Sequence, residues 1–195
     1  MKTFSENTFR NFLKIKSHVV DMRSGQDRLD VDTMTSTNIR TAARRKDPRS
    51  PKVIADHTQQ GYGAELTLRS IPGVSPSEPI SPYFKGLSYK GVMTDFYCEN
   101  VPCQMKTAIG ATLERNQKWY LSKPQFDSIL QSHVHYENIF LFKAKKIEPY
   151  LYSYDSFLMI DSSKFMNHIK LNTGPYSPYY FDFNEALLKN SAVKL

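Results

Sequence analysis

The chain has 195 residues, with 26 Lys and Arg against 19 Asp and Glu, a formal net charge of +7. That length and a content of 40% hydrophobic and 13% aromatic residues suit one soluble domain, 1–195, with an ordinary core. Two cysteines exclude a disulfide framework, residues 1–7 lack the apolar run of a signal peptide, and no segment suits a bilayer span, so a cytoplasmic protein without a membrane partner is expected.

The charge is uneven: residues 1–60 hold twelve Lys/Arg against seven Asp/Glu, a net of +5. Residues 5–22 read as a helix, with Ser5 able to cap it and Phe9, Phe12, Leu13, Val19 and Val20 near helical spacing. Ser24-Gly25 is expected to end it. Residues 29–46 read as a second helix, although Thr33-Met34-Thr35-Ser36-Thr37 opposes helix formation. Across its end runs a basic cluster, Arg40, Arg44, Arg45, Lys46, Arg49 and Lys52, interrupted by Asp47. Such a run can neutralise several phosphates and give salt-sensitive, largely sequence-independent affinity for DNA. A solvated face without a partner has the same composition. Residues 1–52 are therefore read as a helical, basic N-terminal region, closed by the break Asp47-Pro48-Arg49-Ser50-Pro51.

From Pro72 to Pro82 the chain holds four prolines, a glycine and three serines, the composition of a loop or extended connector. Two short strands around Glu99-Asn100 come next. With those two residues as the turn, Asp95 stands opposite Gln104, and Asp95, Gln104 and Lys106 project from one face. Phe96, Cys98, Val101, Cys103 and Met105 then fill the other face.

Ser122-Lys123-Pro124 opens a further helix that carries Phe126, Ile129 and Leu130. Asn138–Lys143 and Phe157–Ile160 are apolar runs of buried-strand length, with the less regular Tyr150–Tyr154 between them. Asp161-Ser162-Ser163 caps a short helix reaching His168. The aromatic, proline-rich 174–181 stretch can stack on unpaired bases or pack back onto the domain or a second subunit, and packing is favoured. The expected class is α/β, a mixed central sheet flanked by helices, with residues 171–195 as an aromatic-rich tail.

A carboxylate, a carboxamide oxygen and an ammonium group on one strand face suit a divalent metal and a water beside a phosphodiester. Mg²⁺ prefers oxygen ligands and keeps several waters, so one or two protein oxygens suffice. Asp95, eight residues, then Gln104-Met105-Lys106 resembles the PD-(D/E)xK nuclease signature, in the variant with glutamine for the second acid. Glu65, in Gly61-Tyr62-Gly63-Ala64-Glu65-Leu66, fits the acidic residue that this family takes from an earlier helix. Thr94 stands where the family has proline, and Gln104 leaves the metal one negative charge fewer.

The resemblance runs over roughly residues 60–160 by order of elements. It implies a restriction-endonuclease-like core over 60–170 and a Mg²⁺-dependent endonuclease acting on DNA, such as a type II restriction enzyme or a phage nuclease. It also implies Asp95, Gln104 and Glu65 as metal ligands, Lys106 as the catalytic amine, and a homodimer, since cutting both strands takes two sites. An Asp, a Gln and a Lys are equally what a solvated strand carries. The alternatives are a non-catalytic nucleic-acid-binding protein that uses the basic region, and an interaction protein whose charge serves solubility. No P-loop, dinucleotide glycine pattern or nucleophile elbow is visible, so no nucleotide cofactor is expected. The five histidines lack zinc-ligand spacing.

Overall fold

The computed structural model describes residues 5–72, 74–76, 96–98, 101–121, 126, 138–173, 179–189 and 192–194. Residues 5–22 do not form one helix. They divide into helix α1 (Glu6–Leu13) and strand β1 (His18–Asp21). Ser17, at a left-handed φ of 48°, turns the chain between them. Val19 is 55% exposed while Val20 is buried, the two-residue alternation of a strand; adjacent valines match either period, and strand pairing decides. Ser24-Gly25 likewise opens a helix instead of ending one: α2 (Gly25–Arg44) starts there, five residues of Ser, Thr and Met notwithstanding. Packing against the next helix, α3 (Pro51–Arg69), overrides the local propensity. Ser50 caps α3 by accepting from the Val53 amide, and Pro51 occupies its first position, where a missing N–H costs nothing.

Strands β2 (Val74–Pro76), β3 (Phe96–Cys98) and β4 (Val101–Ile109) form an antiparallel meander. The chain crosses over through helix α4 (Gly110–Asn116) and strand β5 (Trp119–Leu121) and returns as β6 (Asn138–Glu148), parallel to β4. A tight turn with Tyr150 at φ 64° then reverses it into β7 (Leu151–Asp161). The two runs expected as separate strands merge into β7 through a bulge: Leu141 faces Leu158 and Phe142 faces Ser156, so Phe157 is the extra residue. The sheet runs β1-β7-β6-β4-β3-β2, with β10 (Ala192–Lys194) also paired to β7. Within the stretch expected as a loop, residues 74–76 are thus an edge strand, a place where Pro76 is tolerated. Residues 77–82 lie outside the described residues, as does nearly all of the helix expected from Ser122.

After helix α5 (Ser162–Met166), strands β8 (Ile169–Leu171) and β9 (Tyr179–Phe181) join β5 in a second, three-stranded sheet that the sequence pattern did not reveal. Helix α6 (Phe183–Leu188) follows. The protein is therefore a mixed α/β structure. No helix among the described residues is long and apolar enough to cross a membrane.

The main sheet carries a core on each face. One gathers Phe12, Val31, Tyr62, Ala64, Leu68, Cys103, Met105, Phe140 and Phe142, and is covered by α3. The other gathers Leu113, Trp119, Ile139, Leu141, Leu158, Phe165 and Phe181 against the small sheet. Because β6 is buried on both faces, its apolar run does not alternate, which is why it reads as a strand by length alone.

Candidate functional site

Phe96 stands opposite Cys103 and Cys98 opposite Val101, the register expected for a two-residue connection. Residues 99–100 themselves lie outside the described residues. Phe96, Cys98, Cys103 and Met105 are all buried in the α3-side core, and neither cysteine forms a disulfide. Along β4, Cys103 pairs with Asn138 and Met105 with Phe140, while Gln104 pairs with Ile139 and Lys106 with Leu141. Neighbours in a parallel pair share a face, and Ile139 and Leu141 belong to the second core. The Gln104 and Lys106 positions therefore lie on the side of the sheet away from α3. Lys106 is half-buried there.

Asp95 lies outside the described residues. Glu65 lies half-buried in the fourth turn of helix α3. The structure brings the Gln104 and Lys106 positions to one side of β4 and sets the helix of Glu65 against the other side. Among the described residues no group of three or more His, Cys, Asp or Glu gathers as a metal site.

The six basic residues fall together at the tip of the α2–α3 hairpin. Arg40 and Arg44 end α2, Arg45 caps it, Lys46 turns the chain at φ 53°, and Arg49 and Lys52 flank the start of α3. All six are exposed. Between the two helices a cleft of about 240 Å³ is lined by Asn38, Thr41, Arg45, Arg49, His57 and Thr58, with Asp47 at its side. Arg49 donates to Asp47 at 2.6 Å and meets His57 Nδ1 at 3.3 Å. The guanidinium and the Arg49 amide hold the Asp47 carboxyl at about 2. Burial and the Arg49 charge push the His57 imidazole below its ordinary value, so it accepts from Arg49. Asn38 Nδ2 donates to Thr58 Oγ1 at 3.0 Å, tying the helices beneath the cleft.

Sequence reasoning missed the polar base of the same hairpin. Tyr62 Oη lies 3.2 Å from carboxylate oxygens of both Asp27 and Asp30, and Tyr150 Oη donates to Asp32 at 2.7 Å. Arg28 pairs with Asp32 and lies 3.5 Å above the Tyr150 ring. The Arg28–Asp32 spacing of four was the available signal. Asn138, at the start of β6 beside Cys103, is 1% exposed, and among the described residues neither amide atom has a hydrogen-bond partner. In the tail, Phe181 stacks on Phe165 at 4.2 Å and Tyr179 on Phe126 at 4.1 Å, so these aromatics pack inward.

No protein-family model, curated protein or solved structure matches the chain.

Proposed function

We propose that the protein is a Mg²⁺-dependent endonuclease hydrolysing DNA phosphodiesters, with a restriction-endonuclease-like core. The observation that carries this reading is the register of the β3–β4 hairpin, Phe96 opposite Cys103, next to Gln104 and Lys106 on the strand side away from the packed thiols. It is the pairing that, in the sequence, puts Asp95, Gln104 and Lys106 on one face. The order helix α3, antiparallel meander, crossover and parallel β6 supports the same reading.

In this mechanism Asp95 supplies the anionic ligand and Gln104 a neutral oxygen. The metal, when bound, polarises the phosphoryl group and lowers the pKa of water. Lys106 orients the attacking water and offsets charge developing on the phosphoryl oxygens. The tip residues Arg40, Arg44, Arg45, Lys46, Arg49 and Lys52 hold the DNA backbone. Glu65 fits this scheme least well, because its helix lies on the other side of the sheet. A homodimer, with one site per strand, acting in the cytoplasm completes the proposal.

The test is incubation of purified protein with mixed-sequence plasmid, with and without Mg²⁺. Nicked or linear product only with the metal is expected; intact plasmid with both Mg²⁺ and Mn²⁺ refutes catalysis. A second reading, a DNA-binding protein without catalysis, is favoured by the basic tip, which stands complete without the hairpin. It predicts binding indifferent to chelator and no cleavage.

A further inference from the structure

Charge is sorted along the α2–α3 hairpin. At its base, Asp27, Asp30 and Asp32 are occupied by Tyr62, Tyr150 and Arg28. Between Asp32 and Asp56 the only acid in the sequence is Asp47, against six Lys and Arg. Arg49 already holds that acid. Arg44, Arg45, Lys46 and Lys52 take part in no ion pair among the described residues. Unpaired cations at a helical tip repel one another, so an anion there relieves a standing cost.

The cleft adds shape to the charge. Arg45 presents a guanidinium fork, which matches phosphate geometry, Arg49 is taken up by Asp47 and His57, and Asn38, Thr41 and Thr58 add neutral polar groups. Beyond the cleft the exposed Arg44, Lys46 and Lys52 extend the positive surface, whereas Lys146 is paired to Asp56 of α3. A free phosphate needs only the cleft; a row of cations beyond it fits a polyanion.

We propose that the cleft between α2 and α3 seats one phosphodiester of duplex DNA on Arg45, with Arg44, Lys46 and Lys52 contacting neighbouring phosphates. The site lies at the end of the sheet where Lys146 meets Asp56, five residues along β6 from the level of Lys106. At about 3.3 Å per residue that is roughly 17 Å along the strand, and the cleft lies on the opposite side of the sheet from Lys106. The inference rests on the proposed function only in taking DNA as the partner.

The test is fluorescence anisotropy of a labelled mixed-sequence duplex of about twenty base pairs in EDTA, over a salt series. Chelation removes cleavage, so failure of catalysis leaves the result readable. Three proteins are compared: unaltered, Arg44→Gln/Arg45→Gln/Lys46→Gln, and Lys170→Gln, whose ammonium pairs with Glu185 and Asp182 elsewhere. The tip variant is expected to bind at least tenfold more weakly at low salt, with a log–log salt slope smaller by about two to three; the Lys170 variant should match the unaltered protein. Equal affinity and slope for the tip variant overturn the proposal. So does displacement of the duplex by a few millimolar inorganic phosphate at constant ionic strength, which marks a free-anion pocket. Unchanged melting curves confirm that the exposed substitutions leave the fold intact.

Discussion

In the β3–β4 hairpin, position is set by register. Phe96, Cys98, Cys103 and Met105 are buried on one side of the strands, and Gln104 and Lys106 fall on the other side of β4 because side chains alternate. A slip of one residue exchanges the two faces. At the α2–α3 tip, six cations crowd a helix end and its turn, and a shift of one residue leaves the surface as positive as before. The hairpin concentrates its proposed function in single atoms, whereas the tip spreads it over many weak contacts. Loss of one group should therefore silence the first and merely weaken the second.

The largest effect is expected at the hairpin. Lys106→Ala, and separately Asp95→Ala, should cut the rate of plasmid cleavage by about a hundredfold to a thousandfold, as removal of one positioned charge-stabilising group does elsewhere. DNA affinity in chelator should stay within about twofold. Cleavage undiminished in both variants breaks the comparison on its catalytic side.

Helix α3 joins the two regions, and two of its glycines separate packing from propensity. A Cβ at Gly63 would run into the hydroxyl of Tyr154, which is wholly buried and donates to the Gln60 carbonyl at 2.9 Å. Gly63→Ala should cost about 1–3 kcal/mol, read as a lower urea midpoint with the slope unchanged. At Gly61 nothing lies within 4 Å of the added methyl group. Gly61→Ala should therefore gain about 0.5–1 kcal/mol from helix propensity. If Gly63→Ala proves neutral, α3 is not held against the sheet as tightly as this contact implies, and the hairpin and tip are less firmly coupled.

Beside the hairpin, Asn138 buries an amide with no partner among the described residues, an arrangement that costs about 1–3 kcal/mol in desolvation. Asn138→Leu, of the same branched shape, should leave stability unchanged or raise it by about 1 kcal/mol on thermal unfolding. A clear loss would show that the amide is satisfied by bound solvent in solution.

Legibility in the sequence divides along the same line. The hairpin register was legible because the turn length and the two alternating strands agree, and the basic tip because charge needs no fold to be counted. The 5–22 segment was misread because Phe12, Leu13, Val19 and Val20 satisfy a helical period, while the strand pairing of His18–Asp21 depends on β7, more than a hundred residues away. Ser24-Gly25 fits either end of a helix, and only the residues downstream decide between them. Helix α3 was assigned no span of its own because Thr58, Gln59, Gln60 and Thr67 occupy its buried side and blur the apolar stripe. The small sheet of β5, β8 and β9 escaped because its strands are three residues each and pair across the chain. For the candidate site, types and spacing were legible; that α3 lies on the far side of the sheet from Lys106 is a matter of packing, which no local pattern encodes.

The last effect concerns the imidazole in the cleft. His57 faces Arg49 directly, with Asp47 and Asp56 nearby, and burial together with the Arg49 charge lowers its pKa below the ordinary 6.5. In the free protein it is therefore neutral at pH 7. A phosphate beside Arg45 adds negative charge and raises that pKa, so binding takes up protons, and affinity must increase as pH falls below about 6.5. A rise of one unit in the imidazole pKa on binding corresponds to about 1.36 kcal/mol, a gain in affinity of up to roughly tenfold between pH 7.5 and 5.5. The unbound fold moves the opposite way: an imidazole whose folded pKa is depressed binds protons better unfolded, so its contribution to stability is lost on acidification through the same window. His57→Gln should flatten the pH dependence of DNA affinity while leaving the salt slope at pH 7.5 unaltered. An equal pH dependence in the variant would place the anion outside the cleft, on the outer cations alone.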